Sequence, residues 1–205
     1  LFKEILRVEL PPFPRMDYDT AMALYGTDKP DLRFDMEIAD ITEVAQGKGF
    51  KVFDSAENVS AIAVKGQAEY TRKQLDALTD WVKRPQIGAK GLIYVKYSTD
   101  GTLKSSVDKF FTPEQLREWC EKCRAQAGDL LLVLSGDLHT TRRQLGELRL
   151  HVAGLLGWRR KGEFAPLWVL DFPMFEWDEE DNRFQAMHHP FTSPMAADHR
   201  KLESE

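Results

Sequence analysis

An α+β fold with a largely antiparallel sheet is what this 205-residue sequence predicts, on three observations. Short apolar runs of strand length alternate with helical patterns through the middle of the chain. Thr99-Asp100-Gly101-Thr102 separates two such runs as a tight hairpin turn, the connection that antiparallel strands use. A second hairpin pattern follows residue 165.

Leu1 to Arg7 reads as the end of a helix. Pro11, Pro12 and Pro14 around Phe13 then fix φ and withhold N–H donors, which favours extended chain. Asp17 is an N-cap for a short helix over Tyr18–Tyr25, and Gly26 closes it. Thr27 to Phe34 is polar, and Met36 to Ile41 mixes apolar and acidic residues as a half-buried strand or a short helical turn does. Val59 to Val64 alternates as a strand. Thr71 caps a helix to about Lys83, with Leu75, Leu78 and Val82 on one face. Gly91 to Tyr97 and Leu103 to Phe111 are the strands of the first hairpin. Thr112-Pro113-Glu114-Gln115 starts a helix with a cap, a proline at its first position and a capping-box glutamine, and Gly128 is expected to end it. Leu130 to Leu134 is a buried strand. A longer helix spans about Thr141 to Leu156 and stops at Gly157. Leu167 to Phe172 and Met174 to Trp177 then rise, Asp178 to Asn182 turn as an acidic, solvated tip, and Arg183 to Met187 return.

The 42% hydrophobic, 30% charged composition is that of an ordinary globular chain with room for one or two cores. No apolar run approaches the roughly 20 residues of a membrane helix, and no secretory leader is read at the start. Two cysteines argue against a disulfide scaffold and fit a reducing compartment, so a cytoplasmic location is expected. Leu1 stands inside a helical pattern without an initiator Met, so the sequence is expected to be a piece of a longer chain. Charge is unevenly spread: residues 1–43 carry a net −5, residues 44–165 a net +6 and residues 166–205 a net −6. A basic middle between acidic flanks divides the chain into those three parts, although solvated surface variation would give the same numbers.

Several groups could carry chemistry. His188-His189-Pro190-Phe191-Thr192 places two imidazoles on a proline-locked polar loop after a strand-like run, where folds put binding groups. Alone, the pair reads more readily as a hydrogen-bonded structural turn. Asp28, Lys29, Asp31 and Arg33 cluster around Pro30, as a network near a site or as a salt-bridged turn joining two parts of the chain. Asp171 either faces a pocket or braces a strand end. Cys120 and Cys123 have redox-pair spacing, but a reactive thiol needs the helix N-terminus, and their helix starts about two turns earlier. Zinc would need four ligands, so idle thiols and no metal site are expected. Arg142, Arg143 and Arg149, with Arg159, Arg160 and Lys161, form a basic edge suited either to a nucleic-acid backbone or simply to solvent. No interleaved aromatics there suggest stacking on single strands.

Ordered blocks carry a resemblance. They are Tyr25-Gly26-Thr27-Asp28-Lys29-Pro30-Asp31-Leu32-Arg33-Phe34, Thr71-Arg72-Lys73-Gln74-Leu75-Asp76, Gly88-Ala89-Lys90-Gly91-Leu92, Lys109-Phe110, Gly128-Asp129 and Leu145-Gly146-Glu147-Leu148-Arg149-Leu150, then Leu167 to Glu176 and Met187 to Pro194. In this order and spacing the chain resembles the bacterial aspartyl-tRNA synthetase family over nearly its whole length. Lys65 and Ser106 stand where that pattern has prolines.

The resemblance implies a GAD-type insertion domain at about 44–165, with a mainly antiparallel sheet, between two segments of a class II synthetase catalytic domain at 1–43 and 166–205. A similar domain occurs in the B subunit of the tRNA-dependent amidotransferase. It implies a parent enzyme that activates aspartate with ATP and Mg2+ and transfers it to tRNA, as a homodimer, with neither membrane nor DNA as partner. By the resemblance, His188 contacts the aspartate substrate, and His189 contacts it or orients the loop. The arginines that grip ATP in this family, the strand carrying the carboxylate-binding arginine and the anticodon-binding barrel have no counterpart here. The chain alone is therefore expected to be catalytically silent. A non-catalytic module that docks tRNA or a protein is the alternative.

Overall fold

The computed structural model describes residues 2–178, 181–187 and 193–200. A π-helical turn, Phe2–Leu6, comes first, and the proline-rich stretch runs extended into β1 (Arg15–Asp17). The Asp17 carboxylate accepts from the Thr20 N–H at 2.7 Å and so caps α1 (Tyr18–Tyr25), which Gly26 closes at φ 68°. Next come β2 (Ile38–Asp40) and two single-turn helices, α2 (Thr42–Ala45) and α3 (Lys51–Asp54). The middle continues as β3 (Asn58–Val64), α4 (Arg72–Val82), β4 (Ile93–Tyr97), β5 (Leu103–Ser105), α5 (Pro113–Lys122), β6 (Leu130–Gly136) and α6 (Leu138–Leu155). Then follow β7 (Trp168–Leu170), β8 (Phe175–Asp178) and β9 (Arg183–Ala186).

Five strands form one antiparallel sheet in the order β2-β3-β6-β4-β5, the α+β architecture that the hairpin signals predict. Its centre is the seven-residue pairing of β3 with β6, Asn58 opposite Gly136 through Val64 opposite Leu130. Strand periodicity splits the apolar residues between two faces. Ile62, Val64, Leu130, Leu132 and Leu134 pack against Leu75, Leu78 and Val82 of α4 and Leu145, Leu148 and Val152 of α6. Val59, Ala61, Leu131 and Val133 pack on the opposite side against Phe53, Leu116 and Trp119. Strands buried on both faces read as continuous apolar runs, as Leu130 to Leu134 does. The edge strand β2 lies before residue 44, so the sheet draws on chain that the charge division assigns to the first segment.

Away from this sheet, β1 pairs in parallel with β7, Arg15 opposite Trp168 through Asp17 opposite Leu170. Tyr18 and Phe172 bring their rings to 5.0 Å beside that pair. The two flanks, remote in sequence, thus meet in space. β8 and β9 form a separate hairpin, Phe175 opposite Ala186 and Asp178 opposite Arg183.

Three boundaries differ from the sequence reading by about three residues or more. The partner strand expected over Leu103 to Phe111 stops at Ser105, because the Asp108 carboxylate accepts from the Ser105 N–H at 2.7 Å and turns the chain. The helix expected to reach Gly128 ends at Lys122. Arg124 takes φ 52°, and the buried Asp129 carboxylate takes the Gln126 N–H at 2.8 Å, drawing that segment into a turn. The long helix starts at Leu138 rather than Thr141, since Asp137 caps the Thr140 N–H at 2.8 Å.

Candidate functional site

The junction between the β1–α1–β7 part and the five-stranded module is built around glycines and one arginine. Gly26, at the left-handed end of α1, lies against the Arg142 carbonyl of α6, where a β-carbon would overlap the oxygen. On the same contact a β-carbon at Gly146 would come 2.5 Å from the Tyr25 carbonyl oxygen. Two helices approach this closely only where side chains are absent.

One turn further along α6, Arg149 is 1% exposed. Its Nε donates to the Met36 carbonyl at 2.9 Å, and one terminal nitrogen donates to the carbonyls of Asp31 at 2.7 Å and Phe34 at 3.0 Å. The guanidinium also lies 4.1 Å from the Phe34 ring centre and 4.9 Å from that of Tyr25. Burial pushes its pKa down to about 10, which leaves it charged at neutral pH. Arg149 therefore leaves the predicted basic edge: a side chain closed off from solvent and committed to three carbonyls cannot reach a phosphate. Its role is to hold the 31–36 crossing onto the module.

The cluster around Pro30 belongs to the same junction. Arg33 forms a forked pair with the Asp31 carboxylate at 2.6 and 2.9 Å and donates to the Arg160 carbonyl at 3.0 Å. The hydrogen bonds from Arg33 hold the Asp31 carboxyl below the usual carboxylate range. Arg159 approaches the same carboxylate at 3.6 Å. Asp28 and Lys29 face each other loosely at 3.9 Å. Asp31 and Arg33 thus form a salt-bridged turn at this junction.

The remaining basic residues are accessible. Arg143, Arg159, Arg160 and Lys161 are exposed and Arg142 is half-buried. Arg160 pairs with Glu163 at 3.4 Å, and the weak pairing of Arg159 leaves it open to solvent.

Burial pushes the thiols of Cys120 and Cys123 up to about 12, so neither is a thiolate at neutral pH. Both lie at the end of α5, away from its N-terminus. Among the described residues no group of three His, Cys, Asp or Glu is arranged to hold a metal, and no helix is long and apolar enough to cross a membrane. Asp171 is exposed at φ 56°, at the end of β7. His188 and His189 lie outside the described residues; Met187, just before them, bonds to the Met174 carbonyl at 3.1 Å at the base of the β8–β9 hairpin. That hairpin carries Phe175, Trp177 and Phe184 at least half exposed, with Trp177 opposite Phe184.

Nothing in the sequence signals the meeting of Phe50 with Phe110, whose ring centres are 4.9 Å apart. Sixty positions separate them, and no local pattern links them.

A model of the GAD domain matches residues 51–145. Over its whole length the chain is 56% identical to an aspartate–tRNA ligase of Porphyromonas gingivalis. It is 54% identical to that of Flavobacterium psychrophilum and 55% identical to that of Bacteroides fragilis. It spans 35% of the length of each of these relatives.

Proposed function

We propose, for a chain whose entire length corresponds to the GAD-containing part of bacterial aspartate–tRNA ligases, that it supplies such an enzyme with a tRNA-facing insertion and one wall of its aspartate pocket. The observation that carries this reading is identity above one half to aspartate–tRNA ligases along all of the chain. The whole enzyme would activate aspartate with ATP and Mg2+, transfer the aspartyl group to tRNA, and act as a cytoplasmic homodimer. ATP and Mg2+ would bind mostly to residues of that enzyme outside this chain. The apolar face of the β8–β9 hairpin, open here, would be covered by that remainder.

His188 is the residue proposed to touch aspartate, with His189 contacting it or orienting the loop. An imidazole donates a hydrogen bond to a carboxylate, and the approaching anion raises its affinity for a proton. In the full-length enzyme His188→Ala is expected to raise the KM for aspartate about tenfold or more, the loss of a hydrogen bond to a charged group, with ATP use unchanged. Aspartate-dependent pyrophosphate exchange measures both. Wild-type aspartate kinetics would remove His188 from the pocket, and exchange by the 205-residue chain alone would refute its silence.

The second reading, a docking module without chemistry of its own, is favoured by the exposed Arg143, Arg159, Arg160 and Lys161 beside the half-buried Arg142. Phosphates neutralised there release counterions, so tRNA affinity should fall steeply with salt. Replacing Arg142 and Arg143 by Gln is expected to flatten the slope of log affinity against log salt by about 1–2. A tRNA titration at low and moderate salt tests it, and no binding at low salt would leave the module a spacer. We place the module's limits at about 36–158, since β2 and the Arg149 anchor lie inside the same packed body.

A further inference from the structure

Phe110 is 48% exposed in the turn between β5 and α5. Its ring meets Phe50 with planes inclined at 47°. Phe50 in turn contacts Phe53 at 5.0 Å and Phe111 at 6.0 Å, and both of these pack on Trp119 in the core. The outer ring is thus the exposed end of an aromatic stack rooted in buried structure, and it presents a fixed apolar face to solvent.

Lysines frame that face. Lys109 precedes Phe110, Lys48 and Lys51 flank Phe50, and all three are exposed. None of them forms an ion pair among the described residues. Residues 48–52 and 109–111 contain no carboxylate. The nearest in sequence, Asp54 and Asp108, accept from the backbone N–H groups of Gly47 at 2.8 Å and Ser105 at 2.7 Å. Beside Phe50 and the exposed Val52 opens a cavity of about 650 Å³ that Lys90, Glu57 and Asp137 also line.

A fixed aromatic face bordered by unpaired ammonium groups matches a polyanion that displays flat rings. Duplex RNA hides its base faces, whereas an unpaired strand offers them for stacking. We propose, building on the tRNA-facing reading of the chain, that the Phe50–Phe110 surface binds an unpaired RNA stretch, with bases on the rings and phosphates on Lys48, Lys51 and Lys109. This surface is distinct from the Arg142–Lys161 edge and lies on the face of the sheet covered by α5 rather than α6.

Fluorescence anisotropy with a short labelled oligoadenylate and with a blunt RNA duplex tests it on the chain. The single strand is expected to bind better than the duplex. Phe110→Ala should weaken it roughly tenfold, and Phe110→Trp should keep it. Gln at Lys48, Lys51 and Lys109 together should flatten the salt slope by about 2, and these surface changes leave the core intact if Phe110→Ala does not fold. Equal duplex binding, indifference to Phe110→Ala in a folded variant, or no binding at low salt overturns the assignment. Displacement by polyglutamate but not by RNA would reassign the surface to an acidic protein and also overturns it. The Arg142→Gln, Arg143→Gln double variant separates the two readings. It should spare oligoadenylate binding, and if it also spares tRNA binding, the tRNA-edge reading fails while this one stands.

Discussion

Arg149→Met is expected to cost about 3–5 kcal/mol of folding stability, because three carbonyls at the junction lose their donor at roughly 1–3 kcal/mol each. Methionine fills similar volume but donates nothing. The carbonyls of Asp31, Phe34 and Met36 would lose their common donor, and the Phe34 and Tyr25 rings would lose the cation between them. Urea unfolding followed by circular dichroism should show a lower midpoint with an unchanged slope. Arg149→Lys separates anchoring from phosphate contact. Lysine keeps the charge but not the planar fork, so a phosphate contact would survive it while the anchor would not. A wild-type midpoint in Arg149→Met would refute the anchor.

Gly146→Val is the second large effect, expected to cost about 3 kcal/mol by forcing packed backbones apart. The obstacle to its β-carbon is the Tyr25 carbonyl, with Gly26 atoms 3.3 Å away, and neither is a side chain that can rotate aside. Gly26→Ala meets the Arg142 carbonyl and must also hold φ 68°, which adds roughly 1–2 kcal/mol. Gly154, in the same helix, faces open space. Gly154→Ala should therefore stabilise the helix by about 0.5–1 kcal/mol. Thermal melts of the three variants test the contrast. Equal behaviour of Gly146→Val and Gly154→Ala would mean that α1 and α6 do not press together as described. Because the contact joins β1–α1 to the module, Gly146→Val should also loosen the Tyr25–Gly26 amides to hydrogen exchange.

Local chemistry explains which elements were legible. Asp17, Thr71 and Thr112 cap their helices through bonds that span three residues, so their signals sit wholly within one window of sequence. The Thr99–Thr102 turn fixes its hairpin in the same way, with the Asp100 carboxylate accepting from the Thr102 N–H at 2.8 Å. The errors arose where a distant or irregular partner decides. Asp129 ends the stretch after α5 while also accepting from Gly66, 63 positions away. The single turns α2 and α3 have no side-chain caps and no periodicity to read. The Asp137 cap lies in the same kind of window, ahead of the Thr141 start that the sequence suggests.

The candidate groups divide along the same line. The idle character of Cys120 and Cys123 followed from their distance to the helix start. Arg149 could not be told from Arg142 and Arg143, because all three share one helix and one charge. What separates them is that the chain crossing at residues 31–36 covers only the face on which Arg149 stands. The sequence by itself determined the α+β class, the order of its longer elements and the capped starts of α1, α4 and α5, since these rest on contacts within a few residues. Only the tertiary structure decided that β2 joins the module, that β1 meets β7, that Gly26 and Gly146 touch, that Arg149 is an anchor and that Phe50 backs Phe110. Each of these depends on chain brought together over tens of residues, where burial rather than local pattern sets the role.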